Sequence, residues 1–153
     1  MDLFIMRHGQ AHPQVTDDAS RELTAHGIKE TRAVTKKAFT DKHTPKKIIA
    51  SIYTRAIQTA NEVADVLHYK AKIPTTDLIL PDSDPHAALD FLAKQKTDSL
   101  LIVSHQSFVG KLISLLVDGV VEERHIPTSS VARIKFDDVI VAGCGHLKWL
   151  KTP

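Results

Sequence analysis

Two arginines and two histidines stand where apolar runs end. Arg7-His8-Gly9 closes the run "DLFIM" (2–6), Arg55 lies just beyond "KKIIAS" (46–51), and His105 closes "SLLIVS" (99–104). Guanidinium groups pair bidentately with phosphoryl oxygens and stay charged at any working pH, which suits Arg7 and Arg55 to an anion. His105 is suited to donate a hydrogen bond to a non-bridging oxygen, and a phosphoryl dianion favours its imidazolium form. His8 has a different use. A neutral imidazole attacks through one ring nitrogen when the other is held as N–H, and two nearby guanidinium groups disfavour protonation of the free ring. In-line attack by His8 would make a phosphohistidine, which water then cleaves to release phosphate. Arg7, Arg55 and His105 would stabilise the group in transit, an electrostatic and positioning task. The side chains supply the positive charge, so the expected reaction needs no metal and no cofactor. Singly, each of the four is an ordinary turn or surface residue. Four on comparable turns argue for chemistry.

Those turns require a particular architecture. Residues 2–6, 46–51 and 99–104 read as buried strands, with a shorter one expected at "DLIL" (77–80). Helical spacing of apolar residues runs through 22–39, weakened by Gly27, and through 54–69, 84–95 and 107–118. Asp84 and Pro85 read as a helix start, Ser107 as a helix cap and Gly119 as a helix stop. "SVARIKF" (130–136) and "GHLKWL" (145–150) alternate like antiparallel strands. Strands alternating with helices imply an α/β fold, a three-layer sandwich whose mainly parallel central sheet is flanked by helices, with one antiparallel edge strand. Ligands of open α/β sheets gather outside the carboxyl ends of the strands. If the three strands are neighbours, all four side chains converge there.

Composition narrows the rest. A chain of 153 residues favours one domain, 1–153, large enough to bury a core without staples. Apolar content of 42% and charged content of 25% are those of a soluble globule. A net charge of +2 argues against nucleic acid as a partner. The basic run "KKAFTDKHTPKK" (36–47) reads as a solvated helix end and loop. No apolar run approaches a membrane span, and no signal-peptide pattern precedes the first strand, so neither membrane nor export is expected. The single cysteine, Cys144, excludes an internal disulfide and fits a reducing cytoplasm. His8-x3-His12 and Cys144-x-His146 have metal-like spacings but lack further ligands at diagnostic positions, so no metal is expected. "PTSS" (127–130) reads as a turn; no Gly-x-Ser-x-Gly elbow is present.

"RHGQA" at the first strand end, "YTRAIQTA" (53–60) and "SHQSFVG" (104–110) resemble the histidine phosphatase, or phosphoglycerate-mutase-like, superfamily. With the short length and "SRELTAHG" (20–27), the likeness is to its small bacterial phosphohistidine phosphatases and covers nearly the whole chain. The resemblance implies that His8 is the phospho-acceptor and that Arg7, Arg55 and His105 complete a phosphate pocket. It makes Arg21 a further phosphate or substrate contact; locally, Arg21 reads equally well as an exposed arginine beside a helix start. Two positions depart from the family pattern: Ile52 replaces a frequent Pro after Ser51, and Ser107 replaces a Pro two residues after the second histidine. Many members use a Glu as leaving-group acid in the loop after the third strand. Here the positional candidate is Asp82, which also reads as a plain turn residue. Phosphohistidine has less need of such an acid, because its leaving imidazole is itself basic. The implied substrate is therefore a phosphorylated His-containing phosphotransfer domain, or another phosphoprotein, of a signalling relay. A small-molecule phosphomonoesterase with the same pocket and a non-catalytic phosphohistidine-binding adaptor are the alternatives.

Overall fold

The structure, a computed structural model, describes residues 1–13 and 17–153. Six strands form one sheet: β1 (Asp2–Arg7), β2 (Lys47–Ser51), β3 (Thr75–Thr76), β4 (Ser99–Ser104), β5 (Val131–Lys135) and β6 (His146–Lys151). Four helices connect them: α1 (Ala25–Ala38), α2 (Thr54–Leu67), α3 (Pro85–Ala93) and α4 (Phe108–Asp118). The strand order is β3-β2-β4-β1-β5-β6. Strands β3, β2, β4 and β1 run parallel to one another. β5 is antiparallel to both β1 and β6. The reversed strand therefore lies one place in from the edge, and β6 takes the edge itself.

The apolar runs are continuous because both sheet faces are covered. Successive side chains of a strand point to opposite faces. Leu3 and Ile5 of β1 join Leu100 and Ile102 of β4 against Phe108, Leu112 and Leu116 of α4. Phe4 and Met6 join Leu101 and Val103 on the other face, with Val34 of α1 and Ala56, Ala60 and Val63 of α2. The core is thus two apolar layers separated by the sheet. Because β4 sits between β1 and β2, the carboxyl ends that carry Arg7-His8, Arg55 and His105 are adjacent. Arg7 pairs with Ser104 in register, and His8 N–H donates to the Ser104 carbonyl at 2.9 Å.

Several boundaries differ from the sequence reading for local reasons. α1 begins at Ala25, since residues just before it are engaged elsewhere. Leu23 bridges Ala11, and its N–H donates to Gln58 Oε1 at 2.7 Å. Thr24 caps the helix by accepting from Gly27 N–H. Gly27 is required by contact: a Cβ there would lie 2.2 Å from the Gln10 carbonyl oxygen. The third strand is Thr75–Thr76, not 77–80. Ile79 is instead fully buried in the following loop, and its carbonyl accepts from Ser104 Oγ at 2.6 Å. Asp84 caps α3 as read, with Pro85 in the first turn, and Gly119 ends α4 at φ 78°. Ser107 stands at the N-cap of α4 in a helical conformation (φ −90°, ψ −3°) and makes no side-chain cap bond. Among the described residues, no helix is long and apolar enough to cross a membrane.

Candidate active site

His8 is buried at the end of β1, and its hydrogen bonds fix its tautomer. Nδ1 lies 2.7 Å from the Gly9 carbonyl, which can only accept, so Nδ1 carries the proton. Nε2 then presents its lone pair, and Arg55 Nε–H donates to it at 3.2 Å. Burial, set against the Gly9 hydrogen bond and reinforced by the charges of Arg55, Arg7 and Arg21, lowers the His8 pKa to about 4. The ring is therefore neutral and correctly protonated for attack through Nε2 at neutral pH. Thr59 holds the surrounding turn. Its hydroxyl accepts from Gly9 N–H at 3.0 Å and donates to the Arg55 carbonyl at 2.7 Å, tying the end of β1 to the first turn of α2. A Cβ at Gly9 would come within 2.8 Å of Thr31 Oγ1 and 2.9 Å of the Gly27 carbonyl, so this turn has no room for a side chain.

The other three predicted residues surround the ring. The His8 and His105 ring centroids are 5.1 Å apart. Arg55 is buried, with its guanidinium carbon 5.1 Å from the Tyr53 ring centroid, and the Tyr53 ring in turn meets the His105 ring edge-on at 5.1 Å. His105 Nε2 lies 2.7 Å from Ser51 Oγ. Its pKa falls to about 2, first through burial, then through the neighbouring His8, Arg55 and Arg7, against a raising effect of Asp18. The free site thus holds His105 neutral; an imidazolium there would need an incoming anion to offset those charges. Arg7 Nη1 donates to the Ile126 carbonyl at 2.8 Å. Burial, then the Arg55 charge, lowers the Arg7 pKa below its ordinary value. Arg7 Nε and His105 Nδ1 are buried without a hydrogen-bond partner among the described residues. A buried unsatisfied polar atom costs about 1–3 kcal/mol, which a bound oxyanion could recover wherever the atom is a donor.

Arg21 joins this cluster through Asp18, which the sequence reading did not single out. Asp18 lies in a single 3-10 turn, Asp18–Ser20, capped by Asp17. Its carboxylate meets Arg21 Nη1 at 3.1 Å and Arg55 Nη2 at 3.2 Å, and its carbonyl accepts from Arg55 Nη1 at 2.6 Å. Partial burial raises the Asp18 pKa, but the hydrogen bonds and charges of Arg21 and Arg55 together outweigh it and hold the carboxyl below its usual range. Asp82 is exposed in the turn before α3, with neither a hydrogen bond nor an ion pair to His8, Arg7, Arg55 or His105. The helix starts differ in a related way. α1 and α3 have side-chain caps; α2 and α4, which follow β2 and β4 at the site, have none. Val109 N–H already donates to the His105 carbonyl and Ala56 N–H to the Tyr53 carbonyl, while the N–H groups of Thr54, Arg55 and Phe108 have no acceptor among the described residues, and helix N-termini favour anions.

Residues 3–78 match the family model described as histidine phosphatase superfamily (branch 1). The chain is 31% identical to the phosphohistidine phosphatase SixA of Escherichia coli (strain K12), covering 100% of this chain and 94% of that protein. The chain belongs to the histidine phosphatase superfamily. Its likeness to the SixA homolog of Haemophilus influenzae (strain ATCC 51907 / DSM 11121 / KW20 / Rd) is 31% identity over 76% of this chain and 77% of that one. A solved structure of the protein histidine phosphatase SixA complexed with tungstate superposes with a TM-score of 0.88, at 28% identity, covering 99% of this chain and 97% of that one. As a histidine phosphatase superfamily member, the chain is a hydrolase. Ser51, Thr59 and Asp18 are the site residues that the sequence reading passed over. Thr59 stands four residues after Arg55, on the same helix face. Asp18 stands three before Arg21, a spacing that also describes any surface ion pair.

Proposed function

We propose that the protein removes the phosphoryl group from a phosphohistidine on a partner protein, a His-containing phosphotransfer domain of a signalling relay, through a covalent phospho-His8. The observation that carries this reading is the His8 ring itself, protonated on Nδ1 toward Gly9, with its Nε2 lone pair beside Arg55. Nε2 attacks phosphorus, and the bond to the substrate imidazole breaks. That imidazole, already protonated on its other nitrogen, leaves as a neutral ring. The phospho-His8 ring keeps Nδ1–H on the Gly9 carbonyl. Water then attacks phosphorus, the P–Nε2 bond breaks, and dihydrogen phosphate leaves with both protons of the water. His8 regains its starting tautomer. Neither step draws a proton from a carboxylic acid. The one carboxyl group tied into the cluster, Asp18, is held ionised by two arginines. A phosphate ester would instead expel an alkoxide and call for an acid.

Arg7, Arg55 and His105 hold the phosphoryl oxygens in this scheme, with Arg21 at the rim. The likeness to a SixA complexed with tungstate supports it, since tungstate is a tetrahedral oxyanion of phosphate's shape. The short connection between β3 and α3, residues 77–84, leaves a projecting protein histidine an approach to the pocket. The test is phosphate release from a phosphohistidine-bearing phosphotransfer domain and from a panel of phosphate esters, with alkaline trapping of the acid-labile intermediate. Release from the phosphoprotein, with label retained on the wild-type protein and absent from His8→Ala, is the expected result. Full activity in His8→Ala would remove the nucleophile assignment. Preferential turnover of small esters would favour a phosphomonoesterase, and tight binding without release an adaptor.

A further inference from the structure

Arg55 uses all three guanidinium nitrogens within the protein. Nε–H donates to His8 Nε2 at 3.2 Å, Nη1 to the Asp18 carbonyl at 2.6 Å, and Nη2 meets the Asp18 carboxylate at 3.2 Å. The lone pair that would attack phosphorus is thus already engaged, and the cation that would grip a phosphoryl oxygen is already paired. We propose that Asp18 acts as an internal substitute for the phosphoryl group: it holds Arg55 in a pose that masks His8 Nε2, and an incoming phosphoryl group takes the place of the Asp18 carboxylate on Arg55 and frees the nucleophile. This rests on the reading of the pocket as a phosphoryl site and assigns Asp18 as its positioning residue.

The physical case begins with burial. The Arg55 side chain is 5% exposed and the Asp18 side chain 37%. A buried guanidinium without an acceptor carries a large desolvation cost, so a site built to receive an anion needs a stand-in between turnovers. Asp18 is suited to be one that leaves. It sits on a single 3-10 turn, its carboxylate faces water on one side, and it is shared with Arg21. A phosphoryl dianion brings twice the charge and more acceptor oxygens, so it outcompetes one carboxylate for the same fork. Arg21 remains available to the displaced carboxylate, which gives Asp18 somewhere to go. The exchange moves no covalent bond.

Inorganic phosphate is the probe, with binding followed by calorimetry and the His8 ring nitrogens by NMR. Asp18→Asn removes the competing charge, keeps the backbone carbonyl that holds Arg55 Nη1, and preserves side-chain size. It is expected to tighten phosphate binding about five- to tenfold. It should also move the His8 Nε2 resonance of the phosphate-free protein toward that of an unbonded imidazole nitrogen. Asp18→Ala should act in the same direction. Asp98→Asn makes the same charge change at the far end of the sheet and should leave phosphate affinity unaltered. Unchanged or weaker phosphate binding in both Asp18 variants, with an unmoved Nε2 resonance, would overturn the proposal. Because only inorganic phosphate is used, failure of the phosphoprotein to turn over leaves this test intact. A wild-type protein that takes up no phosphate would overturn both readings.

Discussion

Lys46 and Asp98 form an ion pair at the amino end of the sheet, and Arg55 and Asp18 form one at its carboxyl end. The first is the shorter, 2.9 Å against 3.2 Å. Its side chains are 68% and 69% exposed, whereas Arg55 is 5% exposed. Water and salt screen the first pair, and either partner can be lost without leaving a buried charge. Arg55 is buried away from water, so the nitrogens of its guanidinium find their acceptors in the protein. One of those acceptors is His8. Contact distance therefore says little about what a charged pair does; burial decides whether the pair reaches into the chemistry around it.

Deleting one cation at each end of the sheet should give the largest difference. Arg55→Ala is expected to lower kcat/KM for phosphate release from a phosphohistidine substrate by about 10²–10³-fold, the usual loss for an electrostatic contact to a transferring group. Lys46→Ala should leave turnover unchanged; equal losses at the two ends would show that burial does not set what these pairs do. The next effect is on stability. The folded chain keeps His8 neutral down to about pH 4, while an unfolded histidine takes its proton near 6.5. Between those values the unfolded state binds more protons, so this contribution is complete above about 6.5 and is lost as pH falls toward 4. For His8 the loss is on the order of 3 kcal/mol. Denaturant unfolding of the wild type and His8→Asn at the two ends of that range should show a smaller acid loss in the variant. The smallest effect lies within the carboxyl end: Asp82→Asn, which removes an exposed carboxylate, should leave phosphate release from phosphohistidine within about twofold of wild type. A large drop would restore Asp82 as a proton donor.

The strands that matter were legible because β1, β2 and β4 are covered on both faces and so read as unbroken apolar runs. Their adjacency was an assumption about strand order, and the position of β4 between the other two supplies it. β3 escaped notice because two threonines carry no period, while the apolar residues beside it go into a buried loop around Ile79. Ser107 has the chemistry of a cap but a backbone that points its hydroxyl elsewhere. The side chains around His8 were legible by type, since arginine and histidine at strand ends are few. Asp18 was not, because an acid three residues from an arginine means nothing until a third group, Arg55, arrives from 37 residues away.

Gly27 seats α1 against the main chain that follows His8. With the main chain of Gln10 resting directly on the main chain of α1, the gap between that helix and the His8 turn is fixed by the radii of backbone atoms. Thr31 is the α1 side chain that faces the same turn, with its hydroxyl close to Gly9; exchanges on the helix face away from it alter the melting temperature without pressing on the imidazole. A single added methyl at position 27 would meet the Gln10 carbonyl oxygen and push the helix off that turn.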